Sequence, residues 1–417
     1  MSATDNPRQQ SNYRWVILLI ATIAQASACF FVQGIGAIAI FIQQDWHLSV
    51  LQIGLLVSAA QLIPIVGLLV AGELLDRFDE RWVVGIGTLL VAAALCAAMF
   101  ANSYLMLLLF LIIVGAGYST AQPGGSKSVS SWFSRHQRGF AMGIRQAGLP
   151  LGGALSAAML PYIATRWGWQ WSFLAGGLVA LAGAVIFLLF YRSANPDPGE
   201  QGPARAAAQD LKATLASRFS MLKEPAMKQI MISGISLISV QYGILIFTAL
   251  YLYDRLDLSI TAAASLLFIA QGAGVMGRII LAAWSDRCQS GRYFPVMTCM
   301  LAIIVGLLTL IWMPMHTFVL LALLAGWLGF FGFGWYGPWV AYVAESAPAS
   351  KTGFALGLAM ACNQVAIVLM PPALGLLKDL THSYIPGWSL LIVMTLVALV
   401  ISARNALSFP RLAWGRK

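Results

Sequence analysis

Three cations stand where a charge is costly. Arg278 lies within GAGVMGRIILAA, Arg145 within MGIRQAGLPLGG and Lys127 within QPGGSKSVSS, each inside a long apolar stretch. If those stretches cross a bilayer, each charge costs at least ~2.5–3.5 kcal/mol and should face a protein interior with a partner. At ~1.5 Å per helical residue, Arg145 lies about 9 Å beyond Gly139, while Arg278 and Lys127 lie about 12 Å from Asp286 and Arg135. The three therefore share one depth. Carboxylates that could neutralise them are scarce. Glu73 and Asp76 belong to a loop motif, Glu345 to an inner helix end, and Asp45, Asp254 and Asp257 to outer ends. An anionic ligand would fill the deficit. Arginine suits that role because its planar fork makes paired hydrogen bonds to a carboxylate. Arg278 has the most apolar flanks; for Arg145 snorkelling towards an interface is the lesser alternative, and for Lys127 it is an equally simple reading.

Neutral polar residues recur around these cations. Gln271 precedes Arg278 by two helical turns on one face, and Gln146 follows Arg145. Gln122 and Tyr118 share the block of Lys127. Gln25 and Gln33 lie in the first block, Gln61 in the second, Gln241 and Tyr242 in the seventh, and Asn363 and Gln364 in the eleventh. The tenth carries FFGFGWYGPW, with Trp335 and Tyr336. Ligand pockets are mostly apolar with a few placed polar groups, so this inventory suits an organic anion. The aromatic run also reads as plain helix packing.

The elements that must hold these side chains follow from composition. The 417 residues are 59% hydrophobic and 10% charged, against about 25% charged in soluble domains. Twelve apolar blocks run at 15–42, 51–72, 82–101, 104–130, 139–163, 171–191, 228–252, 260–284, 293–313, 317–344, 353–377 and 387–407. Each is long enough for a helix across a ~30 Å hydrocarbon core. The expected fold is an all-α integral membrane protein with twelve transmembrane helices in two six-helix, pseudo-symmetric halves. The halves span 1–191 and 228–417, and the Pro/Gly/Ala-rich, charged stretch 192–227 joins them as a cytoplasmic linker. The polar first thirteen residues lack a cleavable signal pattern, so the first block is expected to remain as a spanning helix.

A net charge of +10 could suggest nucleic acid, but the basic residues are scattered among short loops. Alternate loops carry Arg8, Arg14, Arg77, Arg81, Arg135, Arg138, Arg287, Arg292 and Lys351, whereas the opposite loops carry Arg166, Arg255 and Lys378. By the positive-inside rule both termini and the linker face the cytoplasm, a bacterial inner membrane being the expected setting. Nucleic acid is not an expected partner. Cys29, Cys96, Cys288, Cys299 and Cys362 show no paired spacing. His47, His136, His316 and His382 are scattered with no triad or ligand pattern. Neither metal, cofactor nor catalysis is expected.

The halves repeat. GFAMG at 139–143 is echoed by GFALG at 353–357, and Asp76-Arg77 by Asp286-Arg287. Parallel six-helix repeats point to a transporter with its site between the halves. The stretch Gly72-Glu73-Leu74-Leu75-Asp76-Arg77-Phe78-Asp79-Glu80-Arg81 resembles the loop signature G-x-x-x-D-R-x-G-R-R of the major facilitator superfamily. The second copy is Ser285-Asp286-Arg287-Cys288-Gln289-Ser290-Gly291-Arg292. Asp79 and Glu80 stand where the signature has Gly and Arg. The resemblance implies a gating role for Gly72, Asp76, Arg77, Arg81, Asp286, Arg287 and Arg292, which would latch the halves on the cytoplasmic side. The Gly277-Arg278 context, with Trp132-Phe133 and Arg138-Gly139, is similar to the oxalate/formate and monocarboxylate carriers. There the equivalent arginine binds the carboxylate; the eleventh-helix lysine of the oxalate carriers is absent here, where Asn363 and Gln364 stand.

The expected activity is alternating-access transport of a small organic anion, most simply a carboxylate, by a monomer, with a proton or a second anion as the coupled species. Two alternatives stay open: export of an amphipathic drug or siderophore-like compound, favoured by the aromatics and a weak GLPLGG match to an antiporter signature, and carriage of an inorganic anion such as nitrate or cyanate.

Overall fold

The structure is a computed structural model. It describes residues 12–133, 135–192, 225–256, 258–288, 291, 293–312, 317–346 and 352–408. Arg292, most of the 192–227 linker and the side chain of Asp76 lie outside the described residues.

A chain this apolar must satisfy its backbone internally, and in lipid that means helices. Fifteen are present among the described residues: α1 (Tyr13–Trp46), α2 (Val50–Leu62), α3 (Pro64–Arg77), α4 (Glu80–Ala98), α5 (Tyr104–Tyr118), α6 (Ala121–Trp132), α7 (Arg135–Trp167), α8 (Trp169–Phe190), α9 (Pro225–Leu256), α10 (Ile260–Arg287), α11 (Phe294–Trp312), α12 (Phe318–Gly334), α13 (Tyr336–Ser346), α14 (Thr352–Thr381) and α15 (Ile385–Ser408). They make twelve spans, as the apolar blocks predict, because three spans are each broken into two helices. Pro64 breaks the second span because it has no N–H to donate to the carbonyl four residues before it, although Ile63 itself keeps helical dihedrals (φ −62°, ψ −37°). Ser119 and Thr120 interrupt the fourth, their hydroxyls donating back to the Gly115 and Gly117 carbonyls. Trp335 interrupts the tenth. Helix α9 begins at Pro225, three residues before the expected start of the second half at 228.

The first set of helices, α1 to α8, and the second, α9 to α15, meet along a broad seam, chiefly through α1–α9, α2–α14 and α7–α10. Small residues set the spacing of this seam. An added Cβ on Gly36 would strike the Leu245 carbonyl. One on Gly54 would lie 2.8 Å from Pro372 Cα, and one on Gly375 2.8 Å from Leu51 Cα. Backbones can approach this closely only where no side chain stands between them. Polar ties reinforce the same contact. Ser58 Oγ donates to the Val368 carbonyl at 2.6 Å. The two oxygens of Asp379 accept from Val50 N at 3.0 Å and Leu51 N at 2.8 Å, capping α2 from the opposite set. Gln44 Nε2 donates to Tyr253 Oη at 2.6 Å. All of these lie towards the α1–α2 and α14–α15 turns, so the seam is sealed on that side. On the other side Arg77 and Phe78 are exposed.

Candidate functional site

Among the residues whose side chains are described, Glu80, Arg145 and Arg278 are the Asp, Glu, Lys and Arg residues that are buried. Arg145 on α7 is 0% exposed and Arg278 on α10 is 4% exposed. Neither guanidinium reaches an interface, so neither snorkels.

Arg145 is held within the first set. Its Nη1 donates to Gln25 Oε1 at 3.2 Å, and Nη2 donates to the Gln122 carbonyl and to Ser126 Oγ, both at 2.9 Å. Gly125 makes room for it: a Cβ there would lie 2.8 Å from Nη1. Arg278 belongs to the second set but reaches across the seam, its Nη1 donating to the Gln146 carbonyl at 3.0 Å. Its guanidinium stacks 5.3 Å from the centroid of the Tyr336 ring. Tyr336 Oη in turn accepts a long hydrogen bond from Gln122 Nε2, at 3.5 Å. The contacts thus close a loop: Arg145, Gln122, Tyr336, Arg278, Gln146 and back to Arg145. Cys29, Tyr118 and Tyr242 lie within electrostatic range of Arg278, and Arg145 and Arg278 within range of one another.

Every guanidinium partner in the loop is neutral, and both Nε atoms are buried without a hydrogen bond. Two like charges held together by carbonyls, an amide and a hydroxyl leave the net charge uncompensated. Chemically the loop can receive an anion: Arg278 has donated only one N–H and keeps a paired edge, while Arg145 keeps its Nε–H and one Nη1–H.

The remaining predicted residues divide. Gln271 is fully buried against Gly153 of α7, two turns along α10 from Arg278. Gln33 and Gln241 are buried within a turn of the Gly36–Leu245 contact. Asn363 lies against Gly234 beside Trp339. Trp335 is buried and packs edge-on against both Tyr336 and Trp339. Gln364 has another task. Its amide donates to the Gln61 carbonyl at 2.9 Å and to Gln61 Oε1 at 3.1 Å, tying the two sets together.

Lys127 corrects the expectation of three cations around one site. It leaves the face of α6 that carries Gln122 and Ser126, donates to the Leu75 carbonyl and pairs with Glu80 Oε1 at 3.6 Å. Glu80 Oε2 also accepts from Tyr191 Oη. The physical reason is the acid: Glu80 opens α4 and is buried, so it needs a counter-charge, and Lys127 supplies it. Ser126 and the Gln122 carbonyl, two of the groups that hold Arg145, escape sequence reasoning because neither has a distinctive signature.

The loop motif is built locally. Asp79 accepts from Arg81 N at 2.7 Å and caps α4. Arg77 pairs with Glu73 at 2.6 Å on the surface of α3. Arg81 donates to the Leu188 carbonyl and lies over the Trp82 ring. An added Cβ on Gly72 would meet open space. Asp286 and Arg287 end α10, mirroring Asp76 and Arg77 at the end of α3.

With this geometry in view, comparison with known proteins decides the family. The sequence profile of the Major Facilitator Superfamily matches residues 21–371. The chain belongs to the Major Facilitator Superfamily. This superfamily member is 29% identical over 283 residues to an uncharacterized MFS-type transporter of Mycobacterium tuberculosis, covering 68% of this chain and 61% of the relative. It is 26% identical over 205 residues to a probable sulfoacetate transporter of Cupriavidus necator (49% of this chain, 46% of the relative). It is 25% identical over 240 residues to the hexuronate transporter of Bacillus subtilis (57% and 56%). The matched region thus spans about half to three fifths of these relatives. In fold, the superfamily member is similar to a crystal structure of a D-xylose-proton symporter, with a TM-score of 0.73, 16% identity and coverage of 94% and 97%. It is an integral, multi-pass membrane protein of a transporter family.

Proposed function

We propose that this superfamily member carries a small organic anion, a carboxylate, across a bacterial inner membrane by alternating access, with Arg278 as the anchor and Arg145 as the second contact. One observation carries the reading: two buried guanidiniums from opposite halves share a loop of neutral partners, while the buried acid Glu80 is engaged elsewhere by Lys127 and Tyr191. An anion entering between the halves would replace the neutral Gln146 carbonyl with a full negative charge. Charge-assisted hydrogen bonds are roughly twice as strong as neutral ones. The gain would be greatest when both arginines converge on one ligand, the condition for coupling binding to a swing of the halves. The names of two relatives, for sulfoacetate and hexuronate, support the same ligand class. The halves, 1–191 and 228–417, would be the moving bodies, with the termini cytoplasmic as the loop cations indicate.

Reconstitution in liposomes tests this. A panel of carboxylates, inorganic anions, cationic drugs and neutral sugars is assayed for uptake, with and without a pH gradient. Carboxylate uptake that disappears in Arg278→Gln supports the proposal. Uptake of cationic or neutral compounds alone, or full carboxylate uptake by Arg278→Gln, would overturn it.

A further inference from the structure

A proline inside a helix leaves the carbonyl four residues before it without its ladder donor, because the ring nitrogen carries no hydrogen. In lipid that carbonyl must find another partner. Helix α7 contains Pro150 and helix α14 contains Pro372, one in each half. The carbonyls they release belong to Gln146 and Val368. Each is taken by a side chain of the opposite half. Arg278 Nη1 donates to the Gln146 carbonyl at 3.0 Å, and Ser58 Oγ to the Val368 carbonyl at 2.6 Å. These are also the helices that carry the repeated GFAMG and GFALG sequences near their starts. The same device therefore stands on both sides of the seam.

The two instances differ in what they hold. Val368 receives a neutral hydroxyl that has a second acceptor in its own helix, the Gly54 carbonyl at 3.0 Å. Gln146 receives the guanidinium assigned above as the anion's anchor. Its carbonyl oxygen presents a partial negative charge to an N–H that a carboxylate would otherwise take. On this bond, supplied by the chain itself, the seam closes over Arg278 and leaves it 4% exposed. Closing over a guanidinium with no acceptor would be far more costly.

Resting on the anion reading above, we propose that the Gln146 carbonyl, released by Pro150, is a built-in substitute for the substrate's carboxylate. It occupies Arg278 when no anion does, so the two halves can close and swing without cargo. The protein then catalyses net movement of its anion and needs no second anion to exchange against. Pro150 is a positioning residue in this scheme and acts through the Gln146 carbonyl.

Efflux from liposomes tests this, with potassium and valinomycin holding the membrane potential at zero. Vesicles are loaded with radiolabelled oxalate, benzoate or galacturonate and diluted into medium with or without the same unlabelled anion. The wild-type chain is expected to release label into anion-free medium. Pro150→Ala returns an N–H to position 150, which recaptures the Gln146 carbonyl for α7 and takes it from Arg278. Net efflux should then fall about tenfold relative to exchange, the worth of one hydrogen bond to a charged group. KM in the exchange mode should fall as well, because the anion no longer has a carbonyl to displace. Poor folding alone would lower both modes together, so an unchanged ratio and KM in Pro150→Ala would overturn the role of Pro150. Pro161→Ala removes the other proline inside α7 and should keep the wild-type ratio; an equal fall there would assign the effect to helix bending and overturn the proposal. Label retained by the wild-type chain unless anion is present outside would overturn net transport and leave the anion reading standing. No efflux of any of these acids in either medium would overturn the anion reading as well. The wild-type comparison needs no variant, so its outcome does not depend on how Pro150→Ala folds.

Discussion

Arg278 donates to the main-chain carbonyl of Gln146, 3.0 Å away on the opposite half, and Gln146 directly follows Arg145. One arginine is thereby fastened to the backbone that carries the other. A neutral carbonyl holds a guanidinium less strongly than a carboxylate does, so the fastening can yield to an anion. Arg278→Lys keeps the charge but loses the planar fork and the stacking on Tyr336. The expected result is a rise in KM for the transported anion of about tenfold to a hundredfold, equivalent to the ~1.5–3 kcal/mol of a charged hydrogen bond. Uptake kinetics in liposomes would check this, and an unchanged KM would remove Arg278 from the anchor role.

Arg145 is buried and spreads three hydrogen bonds over α1 and α6. Lysine cannot reach Gln25, Gln122 and Ser126 with the same flat geometry. Arg145→Lys should therefore lose about 1–3 kcal/mol of stability, the cost of buried partners left unpaired. The readout is thermal unfolding of the detergent-solubilised protein. Replacement at no cost in both stability and uptake would mean that the arginine is merely a tolerated charge.

Lys127 is 42% exposed at its side chain, whereas its partner Glu80 is 6% exposed. Neutralising the lysine strands a buried acid. Lys127→Gln is expected to lower thermal stability by about 1–3 kcal/mol, discounted for the exposed lysine, while leaving KM within about twofold. The combined exchange Lys127→Glu with Glu80→Lys should recover part of the loss. A large KM change in Lys127→Gln, with stability intact, would return this lysine to the ligand site.

Asp379 caps α2 from across the seam. Asp379→Asn loses the charge in those bonds, about 1 kcal/mol or roughly a fivefold shift in a two-state equilibrium. The sealed state should become less populated. Ser58→Cys, introduced at the seam after the native cysteines are replaced, would then react about fivefold faster with an impermeant thiol reagent applied from the α1–α2 side. An equal labelling rate in both backgrounds would show that the cap carries no weight in the seal.

Much of this arrangement is legible in the sequence, and for definite reasons. Twelve apolar blocks leave the backbone no other satisfied state in lipid. Arg145 and Arg278 stand out because charge inside such a block is rare. Lys127 stands out equally, yet its destination does not, because the acid that receives it reads as a loop residue. Packing against Lys127 of α6 and Tyr191 at the end of α8 buries Glu80 and turns it into a partner. Asp379 is similarly silent: its targets are two main-chain N–H groups, which no side chain announces. The groups that hold Arg145 are partly carbonyls, and a carbonyl belongs to every residue.

The glycine contacts at Gly36, Gly54 and Gly375 bring the two halves together backbone against backbone. Dispersion between such surfaces loses about a quarter to a half of its strength over a gap of roughly 0.5–1 Å, and the backbones themselves, having no side chain at the contact, cannot follow a departing neighbour. A slightly parted seam would forfeit a large share of that attraction at once. Partial openings are therefore thinly populated, and the barrier to solutes on that side behaves as a step: the membrane is kept tight until the whole face lets go.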